Sequence, residues 1–436
     1  MYPALAVAAL LSPNSVQRSE SAAQRSERIP QATSLNPASD VAGQPDAPHE
    51  VLWVGSSGGM EEELVRRAGI AYRGVDTGQL RGKNPLTAAR NASKMLSGIQ
   101  QSRQILDGYE PDVCMVTGGY VCAPVVVACR QKRVPVLIYL PDMAPGSAIR
   151  WLSRLAQRVA VTLPDAASYF GGTVEEGGKA VVTGYPVRPE LLAAAEDRQQ
   201  ARLRLDETLR QPAQAPATAG EQEHAAAQDD GALPLLLVWG GSQGSRSINL
   251  ATWDSLAHLL PHMHVVHVVG VRDWDMAQPI IEAARVAPEW QPEWTDRYHA
   301  VAYLHEAMPY ALAAADLTVA RAGASVLGEF TVAGLPSILV PLPIAGVGQQ
   351  LNARALQDHG AAVVIDDDDL SATLAATVNG LLEDEERLRA MGNAARSLAN
   401  PRAAQNIVDE LVRLAAGADD GSLTEDNVSP VHRTEA

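Results

Sequence analysis

At 436 residues the chain is long enough for two domains, each with its own core. Hydrophobic residues make up 46% of it and aromatic residues only 4%, with alanine, glycine and valine plentiful, which suits an α/β protein of closely packed helices and strands. A formal charge of −16 excludes general nucleic-acid binding, which needs a basic face, and no apolar run approaches the length needed to cross a bilayer.

In chain order, residues 1–12 read as a helix that begins abruptly; MYPALAVAALL lacks the basic leader of a signal peptide. Residues 13–49, rich in Ser, Gln, Ala, Pro and charge, are expected to be disordered. From Val51, VLWVG, MEEELVRRAG, DVCMVTGG, a Pro-containing helix and VPVLIYL alternate strand with helix, the pattern of a parallel, helix-covered sheet. Between them, 77–106 carries Arg81, Lys83, Arg90, Lys94 and Arg103 with no acidic residue, interleaved with Leu80, Leu86, Met95 and Leu96. Such a surface fits an anionic membrane face; a solvated helix and loop fits equally well. Cys114, Cys122 and Cys129 match no zinc spacing and read as buried free thiols of a reducing cytosol. Arg150, Arg154 and Arg158 fall four apart, on one face of a predicted helix, with Leu152, Leu155 and Val159 on the other.

Residues 207–232 are poor in large apolar side chains and read as a flexible insertion near an interdomain linker. LLLVWGGSQGSRSIN (235–249) is a buried strand, a turn at Gly240, Gly241 and Gly244, and a helix. No acidic residue follows at a strand end about twenty residues on, which weakens a dinucleotide reading. His262, His264 and His267 are close in sequence, but His264 and His267 point to opposite faces of their strand, so no metal is expected there. ADLTVARAGASVLGEFTVAGLPSILVP is a βαβ unit. Gly323, Ala324 and Ser325 leave backbone N–H groups bare at a helix N-terminus, which attracts phosphate, and one turn on Glu329 is placed to accept from two vicinal hydroxyls. Diphosphate plus ribose is the signature of a nucleotide sugar. Asp366–Asp369 resembles a cation site only in charge and reads as a solvated approach to a helix. PRAAQNIVDELVRLA puts Ile407, Val408, Leu411 and Val412 on one helical face, and 417–436 reads as a disordered tail.

Set beside TGGY (117–120), GYPVR (184–188) and QQLNARAL (349–356), the order and spacing of these elements become specific. The chain resembles the MurG-type enzymes of glycosyltransferase family 28 from about Val51 to Ala416, one insertion excepted. The resemblance implies two doubly wound, Rossmann-like parallel-sheet domains facing across a cleft, the GT-B fold. Residues 1–196 would form an acceptor and membrane-side domain, 197–232 a flexible linker, 233–400 the UDP-sugar domain, and 401–416 a helix crossing back. It further implies inverting transfer of N-acetylglucosamine from UDP-N-acetylglucosamine to the 4-hydroxyl of an undecaprenyl-pyrophosphoryl-N-acetylmuramyl-pentapeptide, without metal or cofactor, on the cytoplasmic face of the membrane. By motif, Ser242 and Gln243 would meet the donor near its diphosphate and uridine, and Arg188 would pair with phosphate. Ala324 and Ser325 would offer N–H groups to phosphate and Glu329 would take the ribose. Leu304 would hold the uracil through its backbone, and Gln349 and Gln350 would read the sugar hydroxyls. Gly118, Gly119 and Tyr120 would hold the acceptor diphosphate.

Three departures stand out. The family's first strand, Gly-rich loop and histidine would precede the YPALA helix, and the chain starts at Met1-Tyr2-Pro3, which points to a misassigned start or a truncated paralogue. YLPD (139–142) stands where the family has His-Glu-Gln-Asn; Asp142, at a strand's carboxyl end, is a candidate base or acceptor, with loop capping as the alternative. Tyr185 replaces an asparagine before Pro-Val-Arg. Another acceptor within the same fold, which UDP-N-acetylglucosamine epimerases also share, and a catalytically disabled nucleotide-sugar-binding paralogue remain alternatives.

Overall fold

The computed structural model describes residues 2–11, 49–59, 61–77, 85–119, 121–210, 233–241, 243–344 and 348–417. The expectations for 13–48, the basic and apolar residues of 78–90, 211–232 and 418–436, together with Tyr120 and Ser242, lie outside the described residues or side chains.

The second half is a six-stranded sheet in the order β12-β11-β10-β7-β8-β9. Its strands are β7 (Leu235–Trp239), β8 (His264–Val268), β9 (Tyr298–Val301), β10 (Leu317–Ala320), β11 (Ser337–Leu339) and β12 (Ala362–Val364). Every neighbouring pair is parallel. Helices cover both faces, so a central strand needs apolar side chains on each, and four of the five residues of β7 are fully inside. The order reverses between β7 and β10. Loops 240–245 and 321–325 leave the carboxyl ends of those two strands, the place where an open α/β sheet binds ligands.

The first half has a four-stranded parallel sheet, β3 (Cys114–Val116), β4 (Val136–Leu140), β5 (Arg158–Val161) and β6 (Ala180–Val182). A separate parallel pair, β1 (Leu52–Ser56) and β2 (Ala71–Val75), lies beside it. The helix Tyr2–Leu11 joins the two: Val7 packs with Leu137, Tyr139 and Ala160, and Ala8 with Val65, Ile70 and Tyr72. The helix Ala403–Ala415 lays Ile407, Val408, Leu411 and Leu414 on the same four-stranded sheet. Among the described residues no helix is long and apolar enough to cross a membrane.

Two expectations fail here. The arginine stripe does not exist, because its helix ends at Leu152 and Arg158 opens β5. Lys179 Nζ stops the helix by collecting the carbonyls of Ser153 (3.2 Å) and Ala156 (2.9 Å), while the Gln157 side chain bonds Val136 N–H (2.7 Å) and pulls the chain into the sheet. Arg158 pairs instead with Glu410 (3.6 Å) of the terminal helix. Residues 198–210, expected to lie within the flexible linker, are instead a docked helix, Arg198–Arg210. It buries Ala201 and Leu205, and Arg198 bonds the Ala314 carbonyl (3.1 Å) and pairs with Asp316 (2.5 Å). The helix Pro189–Glu196 packs on the same second half, so the chain crosses at 183–188 rather than after 196. The return crossing lies beside it: Asn400 and Asn406 both donate to the Thr183 carbonyl, at 3.0 and 3.2 Å.

His267 is wholly buried and belongs to a directed chain of hydrogen bonds. Trp253 Nε1–H donates to Tyr298 Oη (3.0 Å), so the tyrosine hydroxyl donates to His267 Nδ1 (2.9 Å), and Nε2–H donates to Asn249 Oδ1 (3.0 Å). Burial pushes the imidazole down to about 3. A base whose folded pKa lies below its unfolded value of about 6.5 lends stability that is present above 6.5 and lost as pH falls toward 3. Urea denaturation should therefore show this residue costing about 2 kcal/mol between pH 7 and pH 5. That component should be missing in His267→Gln. Equal pH slopes in the two proteins would contradict the assignment.

Candidate active site

The Gly-rich loop after β7 turns by a Gly244 N–H bond to the Gly241 carbonyl (3.0 Å). Gly244 has φ +78°, and a Cβ there would run into the Val269 carbonyl, so only glycine fits. The helix Arg246–Leu259 follows directly. Gln243 is exposed on the loop. The second loop, after β10, departs from the expected single helix. Ala324–Leu327 is one 3₁₀ turn, and a separate α-helix runs Glu329–Ala333. The break is at Gly328, which lies flat against the Tyr185 ring where any Cβ would overlap it. Glu329 thus opens a helix instead of riding one turn into it. The N–H groups of Ala324 and Ser325 precede the first bonded turn, in which Val326 donates to the Gly323 carbonyl (3.1 Å).

Arg188, arriving from the chain crossing, places its guanidinium 3.7 Å from the Glu329 carboxylate. Both side chains are largely shielded, at 27% and 13% exposure. Burial raises the Glu329 pKa, opposed by Arg188 and by a hydrogen bond from Ser325. Leu304 is buried, and its carbonyl accepts the Ala307 N–H (2.8 Å) at a turn where His305 has φ +43°. Gln349 turns its Oε1 to the Leu342 N–H (3.0 Å), leaving its NH₂ for a ligand, and Gln350 is exposed. Across the cleft, Gly118 and Gly119, with φ +104° and +92°, follow β3, and Asp142 follows β4, so both stand on the same rim of the first sheet. Asp142 Oδ1 accepts from Asn352 Nδ2 (2.9 Å).

Arg321 ties the two loops together, which its place at a strand end did not disclose. It bonds Ser245 Oγ (2.9 Å), Ser247 Oγ (2.7 Å) and the Val340 carbonyl (3.1 Å), and pairs with Asp367 (2.5 Å). Asp367 in turn accepts from Ser247 (2.8 Å), so this member of the acidic run is a strut between the two loops rather than a solvated charge. Replacing Arg321 by Ala is expected to raise the donor KM at least tenfold, because both loops lose their common tie. Initial rates at varied donor concentration check it.

The match to known proteins follows this geometry. Residues 45–161 match the glycosyltransferase family 28 N-terminal domain, and 235–407 match its C-terminal domain. A relative from Roseiflexus sp. (strain RS-1) is 38% identical over 93% of this chain and 90% of its own length. The chain belongs to glycosyltransferase family 28. That relative is named UDP-N-acetylglucosamine–N-acetylmuramyl-(pentapeptide) pyrophosphoryl-undecaprenol N-acetylglucosamine transferase. A second relative with the same name, from Desulfitobacterium hafniense (strain DSM 10664 / DCB-2), is 37% identical over 84% of this chain and 90% of its own length. The crystal structure of MurG from Acinetobacter baumannii has the same fold, with a TM-score of 0.62 at 21% identity, covering 94% of this chain and 95% of that one. The GT-B architecture expected of a family 28 chain is thus present, with two parallel-sheet halves.

Proposed function

We propose that the chain transfers N-acetylglucosamine from UDP-N-acetylglucosamine, with inversion, to the 4-hydroxyl of undecaprenyl-pyrophosphoryl-N-acetylmuramyl-pentapeptide. The meeting of Arg188 and Glu329, from motifs far apart in the chain, at the switch point of the second sheet is the observation that carries this reading. In an inverting displacement the acceptor oxygen attacks the anomeric carbon as the bond to UDP breaks, and negative charge grows on the departing diphosphate. The Arg188 guanidinium and the N–H groups of Ala324 and Ser325 meet that charge with dipoles already in place. Glu329 receives the ribose hydroxyls, Gln349 and Gln350 the sugar hydroxyls, and Leu304 closes the base pocket. Gly118 and Gly119 receive the acceptor's diphosphate. Asp142 is the candidate base: Oδ1 is held by Asn352, and Oδ2 carries no hydrogen bond among the described residues.

Transfer of labelled N-acetylglucosamine from its UDP donor to a short-chain lipid acceptor tests the reading. Donor hydrolysis or epimerisation without transfer would replace it.

The acceptor's polyprenyl tail requires the first half to work at an anionic inner-membrane surface. Lys94, Leu96 and Arg103 stand exposed on the helix Pro85–Tyr109 and suit that contact, with Leu96 69% exposed. The chain is expected to sediment with vesicles containing anionic lipid at about 0.1 M salt, less so at about 0.5 M, and not with zwitterionic vesicles. Binding indifferent to lipid charge would contradict it.

A further inference from the structure

Asn352 lies in the first turn of the helix Gln349–Asp358, three residues beyond the glutamine assigned to the sugar, and is completely buried. A buried primary amide is costly unless it is fully bonded, and here it is. Its Oδ1 accepts the Met143 N–H (2.9 Å). Its Nδ2 donates to Asp142 Oδ1 (2.9 Å) and to the Ala322 carbonyl (3.1 Å). Two of those partners belong to the first half and one to the second. The first-half turn is itself fixed, since buried Thr162 of the segment after β5 donates to the Pro141 carbonyl (3.0 Å). On the other side, Ala322 leads straight into Gly323, Ala324 and Ser325, the loop that faces the donor phosphate.

We infer that Asn352 is a positioning residue that registers the donor-phosphate loop against the acceptor half, through Asp142 and Met143 on one side and Ala322 on the other. The inference rests on the transfer reaction proposed above and deepens it. An in-line displacement between groups held by two separate bodies needs those bodies in register, and a misplacement of about 1 Å costs on the order of 100-fold in rate. No residue contacting only one body sets that register. An amide does so well, because one planar group accepts from one body while donating to both.

The test uses the full chain. In Asn352→Ala, kcat for transfer should fall about 100-fold while the affinity for UDP, measured by calorimetry, stays within about threefold. Asn352→Asp sets two carboxylates face to face and should be at least as impaired. A kcat within about threefold of the native value in Asn352→Ala would overturn the positioning role. Parallel loss of UDP binding, melting temperature and kcat in Asn352→Ala would also overturn it, leaving a structural residue.

Hydrogen exchange separates failure of this inference from failure of the transfer reading. UDP should protect both 321–330 and 139–145 in the native chain, but only 321–330 in Asn352→Ala. Protection of 139–145 that survives the substitution would sink the coupling even where no transfer assay succeeds.

Discussion

Arg188→Ala is expected to lower kcat for transfer by roughly 100- to 1000-fold, the cost of removing a preorganised group that meets transition-state charge. Two effects combine in the variant. The departing diphosphate loses its guanidinium, whose planar fork matches phosphate oxygens. The Glu329 carboxylate loses the cation 3.7 Å away, which is the principal force opposing the upward push of burial on its pKa. Glu329 should therefore protonate at higher pH in the variant, and the acid limb of the rate profile should move upward. Lysine at 188 restores the charge without the fork and should recover only part of the loss. A kcat within threefold of the native value at pH 7.5 would remove Arg188 from the reaction.

Glu329→Gln should weaken the donor and strengthen the fold. Two hydroxyls bonding one carboxylate make charge-assisted hydrogen bonds of about 1.5–3 kcal/mol each, and exchanging the charge for a neutral amide should raise the donor KM about 10- to 100-fold. The stability sign is opposite. A carboxyl whose folded pKa lies above its unfolded value of about 4.3 costs stability while it is ionised, and the cost disappears as pH falls through the folded pKa. The substitution removes that cost at neutral pH, so the melting temperature should rise. The same sign gives a pH signature: the native donor KM should climb as pH drops toward the raised pKa, and in Glu329→Gln it should stay flat. A lower melting temperature would mean that the pair with Arg188 outweighs desolvation, and that the site is not strained in the direction argued. Because the two residues share one interaction, the double variant should cost less than the two singles combined.

The strands were legible because a parallel sheet covered on both faces writes itself as unbroken apolar runs, as in LLLVW and VLIYL. Glycine turns after β7 and the small residues after β10 likewise announced the two loops at the switch point. The partners of Arg321 were not legible: Ser245 lies 76 residues upstream and Asp367 far downstream, and nothing local marks either. Asn352 was hidden for a related reason. Its neighbours Gln349 and Gln350 advertise ligand chemistry, whereas its own partners belong to a turn 209 and 210 residues away. The break at Gly328 needs the Tyr185 ring, which only the chain crossing brings there. The false arginine stripe was a periodicity that Lys179 cut short from outside the helix.

Because the outgoing and returning crossings share the Thr183 carbonyl, the two halves meet at a pivot and not along two independent straps. Under rotation, displacement grows with distance from the axis. Arg188 is five residues from Thr183 and would travel little under such a rotation. Gly118 and Gly119 leave β3, three strand spacings from β6, a lever of about 14 Å. A rotation of about 10° then shifts that rim by about 2.5 Å on the same lever, and shifts Asp142 and Met143, which follow β4 two spacings out, by about 1.7 Å, enough to stretch the Asn352 bonds beyond hydrogen-bond length. With acceptor and donor placed as proposed above, a rotation about this pivot would open the acceptor end further than the donor end.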